Sequence, residues 1–329
     1  MSPAGHSVAL IGCGRISAVH LQTIAQDSRA QLVAVCDVDE AAAQAVADAY
    51  GVGAFSDAAH MVDTLHPEAV VLCTPPNTHR AIATMALAAG CHVLCEKPIA
   101  ITVEDAEAMI AEAERTEGVL MMASKFRYMD DIIKARAMIQ SGVFGEIVMF
   151  ENEFCSHVDM SGRWNADPAI SGGGVLIDNG SHSVDIVRYM LGPIEGLQAV
   201  RGKKWQDLPV EDTCRLTLRC VDGAMASIDL SWSIHKENPY FINVFGTAGT
   251  LAIGWRGSRY RQTDKVDWID FGSGYDKIAA VSAQLANFLD TIEGENAPLI
   301  TKEDALASVK AVTAAYCSAN NSVWQKIEQ

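Results

Sequence analysis

The stretch Val8–Ser17, VALIGCGRIS, decides the fold of the amino-terminal part of this chain. Its first four residues form a short apolar run, typical of a buried parallel strand, and lead into two glycines and a helix-like segment. This is a G-x-G-x-x-G fingerprint with Ser17 at the third small position. The first glycine permits a tight turn, the second lets a pyrophosphate approach the backbone, and the helix amino terminus supplies free N–H groups. The pattern predicts dinucleotide binding, although a flavodoxin-like phosphate turn remains open. The expected cofactor contacts here are Gly12, Gly14, Arg15 and Ile16.

An acidic residue follows where this type of fold binds the adenosine ribose. Asp37 comes directly after the second predicted strand, Leu32–Cys36, about 20 residues beyond the glycines, and its carboxylate is expected to accept ribose hydroxyl hydrogen bonds. Asp39 and Glu40 come next, with no Lys or Arg nearby. A 2′-phosphate at this place would meet only like charge. The sequence therefore predicts NAD as the cofactor in preference to NADP.

Apolar strands alternate with helices as far as about residue 124, which predicts a doubly wound parallel sheet covered on both faces. From Leu197 to Trp255 the predicted strands follow one another with tight turns such as Asp222-Gly223, and this favours a mostly antiparallel sheet. Two helices, Ala279–Glu293 and Lys302–Ala319, are predicted to complete the chain. We therefore expect an α/β protein with a cofactor domain at residues 1–124 and a second α/β domain at 125–329.

Composition restricts the partners of this protein. The chain has 329 residues, 49% of them hydrophobic, and a net charge of −16, which argues against a nucleic-acid or anionic membrane partner. Met1–Ser7 shows no basic segment followed by an apolar one, and no apolar run approaches the ~20 residues that span a bilayer. Nine cysteines lack zinc-ligand spacing and indicate reduced thiols in the cytoplasm.

A second motif carries groups suited to proton transfer. In the segment Gly172–Asp185, a glycine run precedes Asp178, His182 and Asp185 at positions i, i+4 and i+7, which places them in a stripe roughly 60° wide on one helix face. A carboxylate can orient an imidazole and stabilise its charge, so the first two residues form a candidate acid–base pair. Asp185 is expected to be structural. A buried histidine satisfied by two acids in a domain core is the alternative interpretation.

Two further motifs complete a family resemblance. They are Cys73–His79, CTPPNTH, and Glu96–Pro98, EKP, and they stand between the glycine turn and the glycine-rich helix. In this order the chain resembles the Gfo/Idh/MocA family, the group of glucose–fructose oxidoreductase and inositol dehydrogenase. The resemblance implies an N-terminal Rossmann domain and a C-terminal α/β domain with an open, predominantly antiparallel sheet, through which many members oligomerise.

The resemblance also implies roles for individual residues. The catalytic set falls on Lys97, Asp178 and His182. Residues beside the nicotinamide half of the cofactor fall on Thr74, Pro75, Asn77, His79, Glu96 and Lys97. Candidate substrate contacts, besides the catalytic set, are Arg127, Tyr128, Arg163 and Trp164. The sequence Lys125–Tyr128, KFRY, stands where relatives often carry an Asn-x-Arg-Phe-like motif, and it differs from that motif at Lys125 and Tyr128.

These groups suit oxidation of a secondary alcohol. His182, held by Asp178, can remove the hydroxyl proton while hydride leaves carbon for nicotinamide, and Lys97 can stabilise the developing alkoxide. No metal is required, because these side chains supply the polarising charge. The expected substrate is a sugar, a polyol or a sugar derivative. The alternatives are a glycosidase that oxidises its substrate transiently with bound NAD, and a cofactor-sensing regulatory protein.

The antiparallel sheet is predicted to have one polar and one apolar face. Residues at alternate positions of two strands are polar, whereas their neighbours are apolar. The polar set is Thr217, Arg219, Ser227, Asp229 and Ser231, and the apolar set is Leu216, Leu218, Ala226, Ile228, Leu230 and Trp232. An open sheet of this kind is a reasonable self-association surface, so a homodimer or homotetramer through it is expected.

Overall fold

The structure is a computed structural model that describes residues 5–328, and it divides the chain into two compact units. The first unit comprises residues 5–125 and 277–306, and the second comprises residues 126–276 and 307–328. The prediction for Met1–Ser7 lies partly outside the described residues. No helix among residues 5–328 combines the length and the apolar character that crossing a membrane requires.

Within the described residues, the first unit is built on a six-stranded parallel sheet with the order β3-β2-β1-β4-β5-β6. Its strands are β1 (His6–Ile11), β2 (Ala30–Cys36), β3 (Gly53–Phe55), β4 (Ala69–Leu72), β5 (His92–Glu96) and β6 (Leu120–Ala123). Its helices are α1 (Ser17–Gln26), α2 (Glu40–Tyr50), α3 (Ala58–Leu65), α4 (His79–Ala88), α5 (Val103–Arg115) and α9 (Lys277–Ile292). The doubly wound sheet predicted from the uninterrupted apolar strands is confirmed.

The first unit also includes a segment from near the carboxy terminus, residues 277–306. Helix α9 packs against α1, and its Leu285 and Phe288 belong to the same buried core as Val8 and Leu10 of β1. Arg29 Nη1 lies 2.6 Å from Asp290 Oδ1, which adds an ion pair to this packing. The carboxy-terminal part of the chain thus returns to the first unit, a long-range contact that no local sequence pattern encodes.

The second unit contains a nine-stranded sheet in the described residues, with the order β14-β13-β12-β11-β7-β10-β9-β8-β15. Its strands are β7 (Ile147–Cys155), β8 (Ile194–Arg201), β9 (Thr213–Cys220), β10 (Met225–Ser231), β11 (Tyr240–Gly246), β12 (Gly249–Gly254), β13 (Ser258–Gln262), β14 (Ile269–Gly272) and β15 (Gln325–Lys326). Neighbouring strands are antiparallel, except that β7 and β10 run parallel. The predominantly antiparallel sheet is therefore confirmed.

The two faces of this sheet differ as predicted. Leu216, Leu218, Ile228 and Leu230 are at most 1% exposed, because they point towards the helix α8 (Val175–Leu191), which packs on β7, β9 and β10. The other helices of this unit are α6 (Asp130–Gln140), α7 (Pro168–Ser171) and most of α10 (Lys302–Asn321). The sheet thus serves as the platform on which the helix with the predicted acid–base pair rests.

Candidate active site

The glycine turn has the geometry that a dinucleotide requires. Gly12 has φ +98°, and a Cβ at this position would lie 2.6 Å from the carbonyl carbon of Cys73, so only glycine fits between β1 and the β4 loop. A Cβ on Gly14 would meet nothing within 4 Å, which leaves open space in front of the turn. Ser17 closes the turn instead, because its Oγ donates to the Gly14 carbonyl at 2.6 Å. The amino terminus of α1 is thus available to a phosphate.

The Asp37 side chain stabilises this turn through hydrogen bonds. Its Oδ2 accepts the Cys13 N–H at 2.6 Å and its Oδ1 accepts the Asp39 N–H at 2.9 Å. Asp39 in turn caps α2 by accepting the N–H groups of Ala41 and Ala42. A carboxylate has further lone pairs for ribose hydroxyls, so the predicted ribose contact remains compatible with these bonds. The two predicted nucleotide elements, the glycine turn and the acid, are therefore joined by a direct hydrogen bond.

The loop after β4 is tied to the EKP segment by one buried imidazole. The ring nitrogens of His79 lie 2.9 Å from the Thr74 carbonyl oxygen and 3.0 Å from that of Pro98. His79 is fully buried, and burial lowers its pKa although the carbonyl contacts oppose that change. His79 therefore acts by holding the loop. Pro75 and Asn77 are more accessible parts of the same loop.

Glu96 and Lys97 lie at the end of β5 beside a buried histidine. The Nε2–H of His20 in α1 donates to Glu96 Oε1 at 2.8 Å, and Glu96 Oε2 accepts the Lys97 N–H at 3.1 Å. Burial alone would raise the pKa of Glu96, but the His20 hydrogen bond and the positive charges of Lys125 and Lys97 hold that pKa below its usual value. The EKP segment is thus anchored to the cofactor helix through an ionised carboxylate. The peptide bond between Lys97 and Pro98 is cis.

The helix α8 begins on a buried carboxylate. Glu211 Oε1 accepts the N–H groups of Gly174 and Leu176, both at 3.1 Å, and the hydroxyl of Tyr316 at 2.8 Å. A Cβ on Gly174 would lie 2.0 Å from the Glu211 carbonyl oxygen, and a Cβ on Gly173 would lie 1.9 Å from the Tyr316 hydroxyl oxygen. The glycines before the helix therefore allow close approach of protein groups.

The predicted acid–base pair occupies the first two turns of this helix. Asp178 is half-buried, and His182, one turn later, is 6% exposed. The His182 ring meets the Phe126 ring edge-on, with 5.0 Å between centroids and an interplanar angle of 85°. Phe126 belongs to a short 3₁₀ helix, Lys125–Tyr128. An aromatic edge thus fixes one side of the imidazole.

Arg127 belongs to a buried ion pair. Its Nε donates to both carboxylate oxygens of Asp185 at 3.0 Å, and its guanidinium lies 5.1 Å from the centroid of Tyr189. Arg127 is 2% exposed and Asp185 is fully buried. Tyr128 is 5% exposed, and burial raises its pKa. Arg127 and Tyr128 are therefore buried, and Asp185 forms an ion pair with Arg127.

Arg163 and Trp164 remain accessible. Trp164 is 42% exposed and begins a short 3₁₀ helix, Trp164–Ala166, while Arg163 is partly buried just before it. The residues that sequence reasoning missed are Glu211 and Tyr316, since neither stands next to a recognisable motif. The only local signal for Glu211 is that an acidic residue stands just before the strand Thr213–Cys220.

Comparison with known proteins identifies the family of this chain. Residues 6–124 match the oxidoreductase family with an NAD-binding Rossmann fold, and residues 132–252 match the GFO/IDH/MocA C-terminal domain. The chain therefore belongs to the GFO/IDH/MocA family of oxidoreductases.

Individual relatives are similar over most of this chain. An inositol 2-dehydrogenase of Rhizobium meliloti (strain 1021) is 30% identical over 257 residues, which are 74% of each protein. A D-glucoside 3-dehydrogenase of Escherichia coli (strain K12) is 34% identical over 211 residues, which are 63% of this chain and 60% of that protein. The chain spans about two thirds of the length of some curated relatives that it matches. An oxidoreductase from Agrobacterium radiobacter, solved with NAD+, L-tartaric acid and magnesium, superposes with a TM-score of 0.90 at 25% identity, over 98% of both chains.

The carboxylate beneath α8 gives a stability prediction. Glu211→Ala removes the common acceptor of two backbone N–H groups and one hydroxyl, so we expect the free energy of unfolding to fall by about 2–4 kcal/mol. Tyr316→Phe removes one of these hydrogen bonds and should cost about 1 kcal/mol. Urea denaturation followed by circular dichroism measures both changes. Equal stability of Glu211→Ala and the wild type would show that the cap contributes nothing.

Proposed function

We propose that this protein is an NAD-dependent dehydrogenase that transfers a hydride between nicotinamide and a secondary hydroxyl or ketone of a sugar, a polyol or a sugar derivative. The observation that carries the proposal is the presence, in one chain, of a dinucleotide turn at Gly12–Ser17, the EKP lysine and the Asp178–His182 helix face. Relatives named as glucoside and inositol dehydrogenases support the substrate class.

In the proposed reaction, two side chains act on the hydroxyl group of the substrate and a third positions one of them. His182 removes the hydroxyl proton, and Asp178 orients the imidazole and stabilises its positive charge. Lys97 donates a hydrogen bond to the same oxygen and stabilises the negative charge that develops on it. Bound NAD supplies the hydride acceptor. In the reverse direction, His182 and Lys97 protonate and polarise the ketone oxygen.

The catalytic roles predict a specific kinetic result. In Lys97→Ala and His182→Ala, kcat for sugar oxidation should fall by about 10²–10⁴, the usual contribution of a positioned proton-transfer group, and His182→Ala should bind NADH with unchanged affinity. The assay is NADH formation over a panel of inositols, aldoses, amino sugars, methyl glycosides and nucleotide sugars. Cofactor affinity is measured separately by fluorescence titration with NADH.

Matched controls separate these effects from general damage. Lys203→Ala and His235→Ala change exposed residues of the same types outside the proposed site and should leave kcat unchanged. Full activity in both Lys97→Ala and His182→Ala would contradict the mechanism. Release of a hydrolysed sugar without net NADH would indicate the transient-oxidation glycosidase instead.

We further propose that NAD is preferred to NADP. Asp37 places a negative charge at the expected ribose position, and Asp39 and Glu40 follow it. The segment 37–40 itself contains no Lys or Arg that could bind a 2′-phosphate. The anchoring of Asp37 by the Cys13 N–H keeps its carboxylate beside the glycine turn.

The cofactor preference is tested by removing charge alone. In the wild type, we expect kcat/KM to be at least about tenfold higher with NAD than with NADP. Asp37→Asn should lower that ratio by about tenfold, because it removes one of the negative charges that repel the 2′-phosphate of NADP. The control Glu40→Gln removes a nearby charge that makes no predicted ribose contact. A wild type that uses NADP better than NAD would disprove the preference.

We also propose that the protein is a homo-oligomer joined through the outer face of the nine-stranded sheet. Met149 and Met225 lie opposite each other on β7 and β10 and are 42% and 48% exposed, and Phe245 pairs with Met149 from β11. Charged pairs such as Arg215–Asp229 flank this apolar row. Apolar centres with charged rims are typical of subunit interfaces. A cytoplasmic location belongs to the same proposal, because all nine cysteines are free thiols.

The proposed sheet interface is tested by measuring the molar mass of the protein in solution. Light scattering during size-exclusion chromatography should give a dimer or tetramer of 35.3-kDa chains for the wild type, and the double variant Met149→Glu/Met225→Glu should run as a monomer because it buries two charges at the contact. Val266→Glu, at an 86% exposed position in a loop, should leave the assembly intact. A monomeric wild type, or an unchanged double variant, would refute this interface.

A further inference from the structure

Five aromatic side chains of the second unit form a continuous group beside His182. The Phe126 ring that contacts His182 also lies 5.1 Å from the Tyr275 ring and 6.2 Å from the Trp255 ring, measured between centroids. Trp255 in turn lies 4.4 Å from Phe241. We call this group the aromatic wall, and its members are Phe126, Phe154, Phe241, Trp255 and Tyr275.

The aromatic wall runs from the protein interior to the surface. Phe126, Phe154 and Phe241 are at most 7% exposed, Tyr275 is partly buried, and Trp255 is 42% exposed. A single exposed tryptophan is common on protein surfaces. Trp255 differs because its ring belongs to the same packed group that fixes the imidazole of the proposed base.

The exposed end of this wall is held rigidly. The Tyr275 N–H donates to the Trp255 carbonyl at 3.1 Å, which joins the loop before α9 to the turn after β12. Gly274 has φ +92°, and a Cβ there would lie 2.6 Å from the same carbonyl oxygen. The fully buried Asp131 accepts the Gly274 N–H at 2.9 Å and the Ser258 hydroxyl at 2.5 Å. A surface fixed in this way binds a ligand with little loss of its own conformational freedom.

We infer that Trp255 and Tyr275 form a subsite for a flat apolar substituent of the substrate, so that the enzyme prefers glycosides with an aryl aglycone. This inference rests on the proposed function, because it takes His182 as the base at the reacting carbon. Two ring-to-ring contacts separate Trp255 from His182, so Trp255 is placed to contact a substituent rather than the carbon that loses hydride. Aromatic faces stack favourably on aryl groups, and ligand sites typically combine such surfaces with a few polar groups.

The test compares paired ligands. Methyl and phenyl pyranosides of glucose, galactose and mannose are titrated by calorimetry into the protein loaded with NADH, so that no turnover occurs. For at least one sugar, we expect the phenyl glycoside to bind about tenfold more tightly than the methyl glycoside. Trp255→Ala and Trp255→Leu should abolish this ratio, and Trp255→Phe should retain most of it. Trp205→Ala, at a 75% exposed position outside the aromatic wall, should leave it unchanged.

Each outcome separates the subsite from the proposed function. Equal affinity of phenyl and methyl glycosides, a preference that persists in Trp255→Leu, or binding of no glycoside at all would overturn the subsite. If sugars are turned over but no phenyl preference is found, the proposed subsite would be refuted and the proposed dehydrogenase activity would stand. If the phenyl preference depends on Trp255 but none of the sugars tested supports reduction of NAD, the proposed dehydrogenase activity would be refuted and the subsite would stand. His182→Ala should lose turnover and keep the preference, which confirms that binding alone is measured.

Discussion

The position of the proposed base depends on how one helix begins. The first N–H groups of a helix have no partner within it and carry partial positive charge, and in α8 the carboxylate of Glu211 receives two of them. The glycines at 173 and 174 are required because their backbones lie directly against Tyr316 and Glu211. In α1 the same kind of helix end faces open space at Gly14. One helix end is therefore satisfied internally and positions side chains, whereas the other is left for a phosphate.

A buried ion pair holds the same helix near its middle, at Asp185. Removing the charges of Arg127 and Asp185 from water is costly. Two hydrogen bonds from Arg127 Nε to the carboxylate, together with an ion pair in which Arg127 Nη2 lies 2.7 Å from Asp185 Oδ1, offset that cost. Because Phe126 precedes Arg127 in one 3₁₀ helix, the ion pair also holds the aromatic ring that touches His182. The imidazole is thus constrained through the backbone of α8 and through its aromatic neighbour. Both constraints pass through Asp185, which lies three residues after His182 on the helix.

Local patterns predicted the elements that are determined locally. The glycine turn, the apolar strands of the first sheet and the alternation in β9 and β10 can be recognised in short windows. The strand Ser258–Gln262, SRYRQ, has no apolar alternation, and Gly53–Phe55 has only three residues, so neither was predicted. Glu211 and Gly174 are 37 positions apart, and Arg127 and Asp185 are 58 apart. In the sequence, Arg127 stands beside a predicted site and therefore suggests ligand binding. Its pairing with Asp185 is visible only in the tertiary structure.

Charge around the EKP segment connects the cofactor helix to the proposed chemistry. This chain carries a net charge of −16, yet a histidine and two lysines, His20, Lys97 and Lys125, act on the single carboxylate of Glu96. Their combined effect keeps Glu96 ionised although it is largely buried, and the Lys97 N–H donates to the same carboxylate. Lys97 therefore has two separate functions, as a proposed hydrogen-bond donor to substrate and as a counter-charge for Glu96. Because loss of Lys97 removes both functions, whereas His182 is not among the charges that shift the pKa of Glu96, the His182 variant is the more direct measure of proton transfer.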